Sequence, residues 1–303
     1  MKNIITLTGD IGSGKSTVAA VLRDKLGYAI LTTGSMLREL AARQGITVLE
    51  LNKQAMSDSQ VDRMIDGYIQ DLNARGDQKL ILDSRLAWHF VQGSFNVFLY
   101  VDPLAAGRRV LAHNRPEEAH TDVHDAMRNN LHRRELENER FETLYDIQCD
   151  DLSNFHLVVD TTWASPESVA AMIVQAYRQR DPGPAGINGY LCPKSLFPTK
   201  DIRDLQGSDA EAADKASADA AGPDEPGLHP AFPINVVRLG HYFFIRDGHA
   251  RASRALRQGL LYVPCRISPA EAAVHPAGVN EWEEAHGFTF ASYPDERGEP
   301  TLR

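Results

Sequence analysis

Nine consecutive residues, Gly9-Asp10-Ile11-Gly12-Ser13-Gly14-Lys15-Ser16-Thr17, carry the chemistry most easily read from this chain. Their order fits G-x-x-x-x-G-K-[ST] without mismatch. Glycines in that pattern let backbone N–H groups close around a phosphate. The lysine reaches the β- and γ-phosphates of a nucleotide, and the following hydroxyl holds Mg²⁺. All nine residues, Gly9 through Thr17, are therefore expected at ATP, with Lys15 catalytic and Ser16 a metal ligand. A second charged group, Asp83-Ser84-Arg85, closes an apolar run. An arginine at the mouth of a buried strand has little structural reason to be there. A third, Asp247-Gly248-His249-Ala250-Arg251, combines a glycine with two cationic donors where a helix begins, a pattern suited to an anion.

These groups need elements to hold them. Ile4 to Thr8 is a short β-branched run that reads as a buried strand, and Val18, Val21, Leu22 and Leu26 recur at helical spacing after the motif. Lys79–Asp83, Phe95–Val101 and His156–Asp160 read as further strands. Helical patterns fill Ser35–Arg43, Asp58–Arg75, Ala105–His113 and about Glu118–Tyr145. Another helix runs to Tyr177, with Ser165 as its cap and Pro166 at its first position. Strand and helix in alternation predict an α/β fold: a P-loop parallel sheet with helices on both faces, its sites at the C-terminal strand ends.

This first domain is expected over residues 1–180. Pro and Gly at 181–187 read as a linker, and residues 188–303 as a smaller α+β domain. An Ala-, Asp- and Gly-rich stretch at about 207–227 reads as a flexible insert. Pro233–Val237 and His241–Ile245 predict a hairpin, with a helix to Gln258 and a closing strand Tyr262–Ile267 after it. A plainer account of the third group is a turn with Asp247 as helix cap.

Bulk properties narrow the classes. A net charge of −9 over 303 residues argues against coating nucleic acid, and DNA is not an expected partner. No run of 18 apolar residues and no leader-like apolar segment is present, so neither a membrane nor export is expected. Cys149, Cys192 and Cys265 are scattered, which indicates neither a disulfide framework nor a zinc site and fits a reducing cytoplasm.

Residues 1–180 resemble the cytidylate kinase family, most of all its archaeal branch. The segments that carry the resemblance are Gly9–Thr17, Thr33–Ala41, Leu82–Trp88, Glu139–Asp151 and Val158–Thr162 with Ser165-Pro166-Glu167. The resemblance implies an ATP- and Mg²⁺-dependent phosphotransferase. It implies that Arg38 and Arg85 bind the acceptor's phosphate, with Arg85 a catalytic residue as well, and that Asp83 orients the metal. Arg133, Arg134 and Arg140 would be catalytic arginines of a lid closing on the transferring phosphoryl group; surface pairing with Glu135, Glu137 and Glu139 is the plainer account of these three. Archaeal members often carry threonines where this chain has Lys15-Ser16. Base-reading residues of the acceptor pocket have no match here. The acceptor is therefore CMP or dCMP, or a hydroxyl metabolite such as serine.

Residues of about 188–270 resemble the ParB/sulfiredoxin-like superfamily, which includes free serine kinases. The resemblance rests on Pro193–Arg203, Pro233-Ile234 and above all Ile245–Arg251. It implies a second nucleotide or phosphate site at Asp247, Gly248, His249 and Arg251. No helix-turn-helix pattern follows it. Two alternatives stand beside the leading expectation: a small-molecule kinase whose chemistry sits at this second site, and a nucleotide-sensing regulatory protein with little turnover.

Overall fold

The computed structural model describes residues 3–47, 50, 67–68, 78–113, 120–149, 151–179, 188–197 and 233–268. The expected linker at 181–187, the insert at 207–227, most of the 58–75 helix and the tail after 268 lie outside them. Ten described strands form a single sheet in the order β2-β3-β1-β4-β5-β6-β10-β8-β9-β7. They are β1 (Ile4–Gly9), β2 (Ala29–Thr32), β3 (Leu80–Asp83), β4 (Phe95–Tyr100), β5 (Leu157–Asp160) and β6 (Gly189–Leu191). The others are β7 (Leu196–Phe197), β8 (Ile234–Leu239), β9 (Tyr242–Asp247) and β10 (Val263–Ser268).

From β2 to β6 every pairing is parallel, as the alternating pattern predicts. The helices are α1 (Lys15–Leu26), α2 (Thr33–Gln44), α3 (Ala87–Phe90) and α4 (Pro103–His113). The remainder are α5 (Val123–Tyr145), α6 (Pro166–Gln179) and α7 (His249–Arg257). Strand β2 has no counterpart in the sequence reading. It is a four-residue edge strand with partly exposed side chains, so it lacks the dense apolar run that marks β1 or β4.

Alternation along the central strands sends side chains to opposite faces. Ile5, Leu7, Val97, Leu99, Leu157 and Val159 pack beneath α1 and α6 with Val18, Leu22, Ile173 and Tyr177. Ile4 and Leu82 face the other way, against Met36 and Leu40 of α2. Burying a side chain such as Leu7 is worth about 1.5–3 kcal/mol, which makes this two-faced core the main support of the strand ends.

The strands after residue 188 extend the same sheet. Strand β6 adds to β5 in parallel, β10 adds to β6 antiparallel, and the predicted hairpin β8–β9 lies beyond. Phe98, Tyr100 and Val158 share a core with Val236, Phe243, Ile245 and Val263, and the Tyr100 and Phe243 rings meet at 4.8 Å. Residues on both sides of the expected domain boundary thus bury one another.

Candidate active site

Strand β1 ends at Gly9, and the chain must turn there against the backbone of β4. A Cβ on Gly9 would lie 2.2 Å from the Leu99 carbonyl oxygen, so only glycine fits. Gly14 then caps α1 with no side-chain hydrogen bond, and the first turn holds no acidic residue. The amides at this helix start are free of an internal anion. Lys15 curls back over the loop, its Nζ donating to the Gly9 and Asp10 carbonyls at 3.0 Å each. Burial pushes the Lys15 ammonium down to about 7, and Arg85 adds to the effect while Asp83 and Glu137 oppose it.

The loop opens into a cleft of about 620 Å³. Thr32, Thr33 and Gly34 line it from the end of β2 and start of α2; Asp83, Ser84 and Arg85 come from the end of β3, Arg109 from α4, and Arg133 and Glu137 from α5. Parallel register sets this convergence, since Thr32 is level with Asp83 and Leu7 is level with Asp83 from the other side. Thr8 Oγ1 donates to the Ser84 carbonyl at 3.2 Å, which fixes the turn that presents Arg85. Ser16 Oγ donates to Asp83 Oδ2 at 3.0 Å. A hydroxyl and a carboxylate this close are hard oxygen donors that suit a small divalent cation sharing phosphate oxygens and water. Among the described residues no group of three or more His, Cys, Asp or Glu gathers as a metal site.

The sequence-predicted residues divide. Gly12, Gly14, Lys15, Ser16, Thr17, Asp83, Arg85 and Arg133 meet in the cleft. Arg38 is exposed on α2, with its guanidinium beside Gly34: a Cβ added there would be 3.7 Å from Arg38 Nη1. Arg134 faces elsewhere. It is buried, ion-paired with Asp10 and lies over the Phe98 ring. Asp10 in turn accepts from the Val101 amide at 3.1 Å, so this loop residue is a strut behind the cradle. Arg140 is exposed and lies over the Phe141 ring, away from the cleft lining. Arg134 is turned about 100° from its neighbour Arg133, whereas Arg140, seven positions on, shares the face of Arg133 and misses the cleft because it lies about two turns farther along the helix.

Arg109 escaped the sequence reading. Its guanidinium donates to the Gly12 carbonyl, to Thr161 Oγ1 and to the Thr161 and Thr162 carbonyls at 2.6–3.2 Å. It thereby clamps the P-loop to the turn after β5. The same turn is held from below by Asp160, a fully buried carboxylate whose Oδ1 accepts from the Thr162 amide and whose Oδ2 accepts from Cys192. Burial pushes the Asp160 carboxyl up. Lys194 reaches over the Trp163 ring at 4.9 Å, so residues after 188 touch this turn as well. The only advance signal for Arg109 is its place on the helix after β4, next to β1 in the sheet.

The second group is differently built. Gly248, with φ of 99°, caps α7, and no side chain caps the helix; the expectation of Asp247 as the cap is corrected. The positive φ is what favours glycine at 248; a Cβ there would stand 2.8 Å from Arg251 Nη2, the movable end of a flexible side chain. Arg251 pairs with Asp247 at 3.0 Å and donates to the Pro233 carbonyl, while His249 is buried.

A parallel sheet carrying a P-loop, its lysine and a hydroxyl–carboxylate pair at the strand ends defines a P-loop phosphotransferase. A family model described as an AAA domain matches residues 5–142. Cytidylate kinase of Haloarcula marismortui is 37% identical over 183 residues, covering 59% of this chain and 91% of that relative. Cytidylate kinase of Natronomonas pharaonis is 34% identical over 181 residues, 59% of this chain and 92% of the relative. Shikimate kinase from Acinetobacter baumannii, a solved structure, aligns over 60% of this chain and 96% of its own, with 20% identity and a TM-score of 0.40. The chain belongs to the cytidylate kinase family of P-loop kinases, and as an enzyme it is an ATP-dependent kinase. Among the described residues no helix is long and apolar enough to cross a membrane.

Proposed function

We propose that this protein is a nucleoside monophosphate kinase that moves the γ-phosphoryl group of ATP to CMP or dCMP. The observation that carries the reading is the convergence of Lys15, Ser16, Asp83, Arg85 and Arg133 on one cleft beside an uncapped helix start. P-loop amides and Lys15 hold the donor's phosphates. Arg85, with Arg38 beside Gly34, receives the acceptor's phosphate, and Arg133 balances charge on the group in transfer. Such chemistry is almost all positioning and charge stabilisation. Ser16 and Asp83 would hold Mg²⁺, which when bound neutralises phosphate charge. Arg134, set against Asp10, keeps the loop in shape.

A transfer assay with Mg-ATP and CMP, dCMP, UMP, AMP or serine, on wild type and Lys15→Ala, tests the reading. CMP or dCMP phosphorylation that disappears in the variant supports it. Transfer to serine that survives the variant overturns it.

A second reading concerns the ParB-like resemblance. Arg251 Nε is buried and without a hydrogen-bond partner, next to the uncapped start of α7. This favours a phosphate group there, held by the Gly248 and His249 backbone with Arg251. Binding of CTP or ATP by Lys15→Ala, lost on adding Arg251→Gln, supports it; no residual binding removes it.

A further inference from the structure

Glu137 is an acidic residue of α5 that turns toward the cleft. Its side chain is 23% exposed, against 67% for Glu135 two positions earlier. Both carboxylate oxygens are engaged by cleft arginines from different elements. Glu137 Oε2 lies 3.0 Å from Arg85 Nη2, and Oε1 accepts from Arg133 Nε at 3.3 Å. Lys15 feels the same charge, in the same direction as that of Asp83. Two guanidinium groups on two oxygens of one anion is the arrangement that a bound phosphate takes. Here the cleft supplies that anion itself.

We infer that Glu137 is a specificity-determining residue: an internal stand-in for a substrate phosphate, which an incoming anion must displace from Arg85 and Arg133. The inference rests on the proposed role of those two arginines in phosphate binding. Its logic is competition. The cleft lining holds Lys15, Arg85, Arg109 and Arg133 against Asp83 and Glu137, so half of its formal positive charge is already answered from within. A neutral or weakly charged molecule gains too little from the two arginines to release the carboxylate. A phosphomonoester carries two charges and three terminal oxygens, and replaces it. Pairing with Glu137 also keeps Arg85 and Arg133 ordered before substrate arrives, which lowers the ordering cost of binding.

The test uses the full chain and inorganic phosphate as the probe, titrated calorimetrically into wild type, Glu137→Gln and the double variant Arg85→Gln/Glu137→Gln. Glu137→Gln is expected to bind phosphate roughly tenfold more tightly than wild type, because the competitor is gone. The gain is expected to vanish in the double variant, which separates the Arg85 subsite from phosphate bound on the P-loop. Equal or weaker binding by Glu137→Gln overturns the inference. So does a gain that persists without Arg85. A purely structural Glu137 would lower the unfolding temperature and leave phosphate affinity where it was. CMP transfer assays keep the two readings apart. Tighter phosphate binding in a protein that cannot phosphorylate CMP sinks the proposed acceptor and leaves the role of Glu137 intact. CMP transfer without the phosphate gain does the reverse.

Discussion

Ser16 Oγ donates to Asp83 Oδ2 at 3.0 Å, across 67 positions of the chain. The bond joins the first turn of α1 to the end of β3, and it brings together the two oxygen donors proposed for a divalent cation. Asp83→Asn keeps the shape and removes the charge. Its kcat is expected to fall about 10²-fold, with half-saturation moved to higher Mg²⁺. A Mg²⁺ titration of initial rates checks this. An unchanged titration curve removes Asp83 from the metal site.

The Lys15 value of about 7, against an ordinary 10.5, has a sign that can be read calorimetrically. In the empty cleft the charged form is the costly one. Above pH 7 the nucleotide-free lysine is mainly neutral, and a polyphosphate anion restores its proton. ATP binding at pH 8 should therefore take up close to one proton, seen as a heat that varies with the ionisation enthalpy of the buffer. Lys15→Met should abolish that dependence. By the same linkage the lysine's cost to folding is full below about pH 7 and fades as the pH rises toward 10.5. Lys15→Met should accordingly unfold at a higher temperature than wild type at pH 6, with the gap closing in alkaline buffer.

Arg134 and Arg140 sit on one helix and make opposite predictions. Arg134→Ala strands the Asp10 carboxylate inside the protein, at a cost of about 3–5 kcal/mol. Arg140 is exposed, and Arg140→Ala should leave stability unchanged. Denaturant unfolding of both variants decides the matter. Equal midpoints would mean that Asp10 and Arg134 are not a buried pair in solution.

Arg109 joins Gly12 to Thr161 and Thr162. Arg109→Ala should cost about 2–4 kcal/mol, since several carbonyls lose a charged donor at once. The P-loop should also loosen, raising the KM for ATP more than it lowers kcat. Steady-state kinetics beside a melting curve test this. A variant with normal KM and normal stability would show that the clamp is dispensable.

What could be read from the residues alone followed from local rules. Gly9–Thr17 specifies a phosphate loop by composition and spacing. Apolar runs such as Ile4–Thr8 and Phe95–Val101 marked central parallel strands because both of their faces are buried. Asp83 and Arg85 stood out as charges ending such a run. Strand β2 escaped because a short edge strand with partly exposed side chains leaves a thin pattern. Helical spacing told that residues 133, 134 and 140 share a helix, but which of them meets Lys15 depends on how α5 is rotated against α4 and the sheet, and packing sets that rotation. The clamp of Arg109, the pairing of Arg134 with Asp10 and the inward turn of Glu137 join residues 52 to 124 positions apart. No periodicity encodes such contacts. They arise when the strand order β3-β1-β4-β5 brings four strand ends to one edge, and burial then makes each charge find a partner.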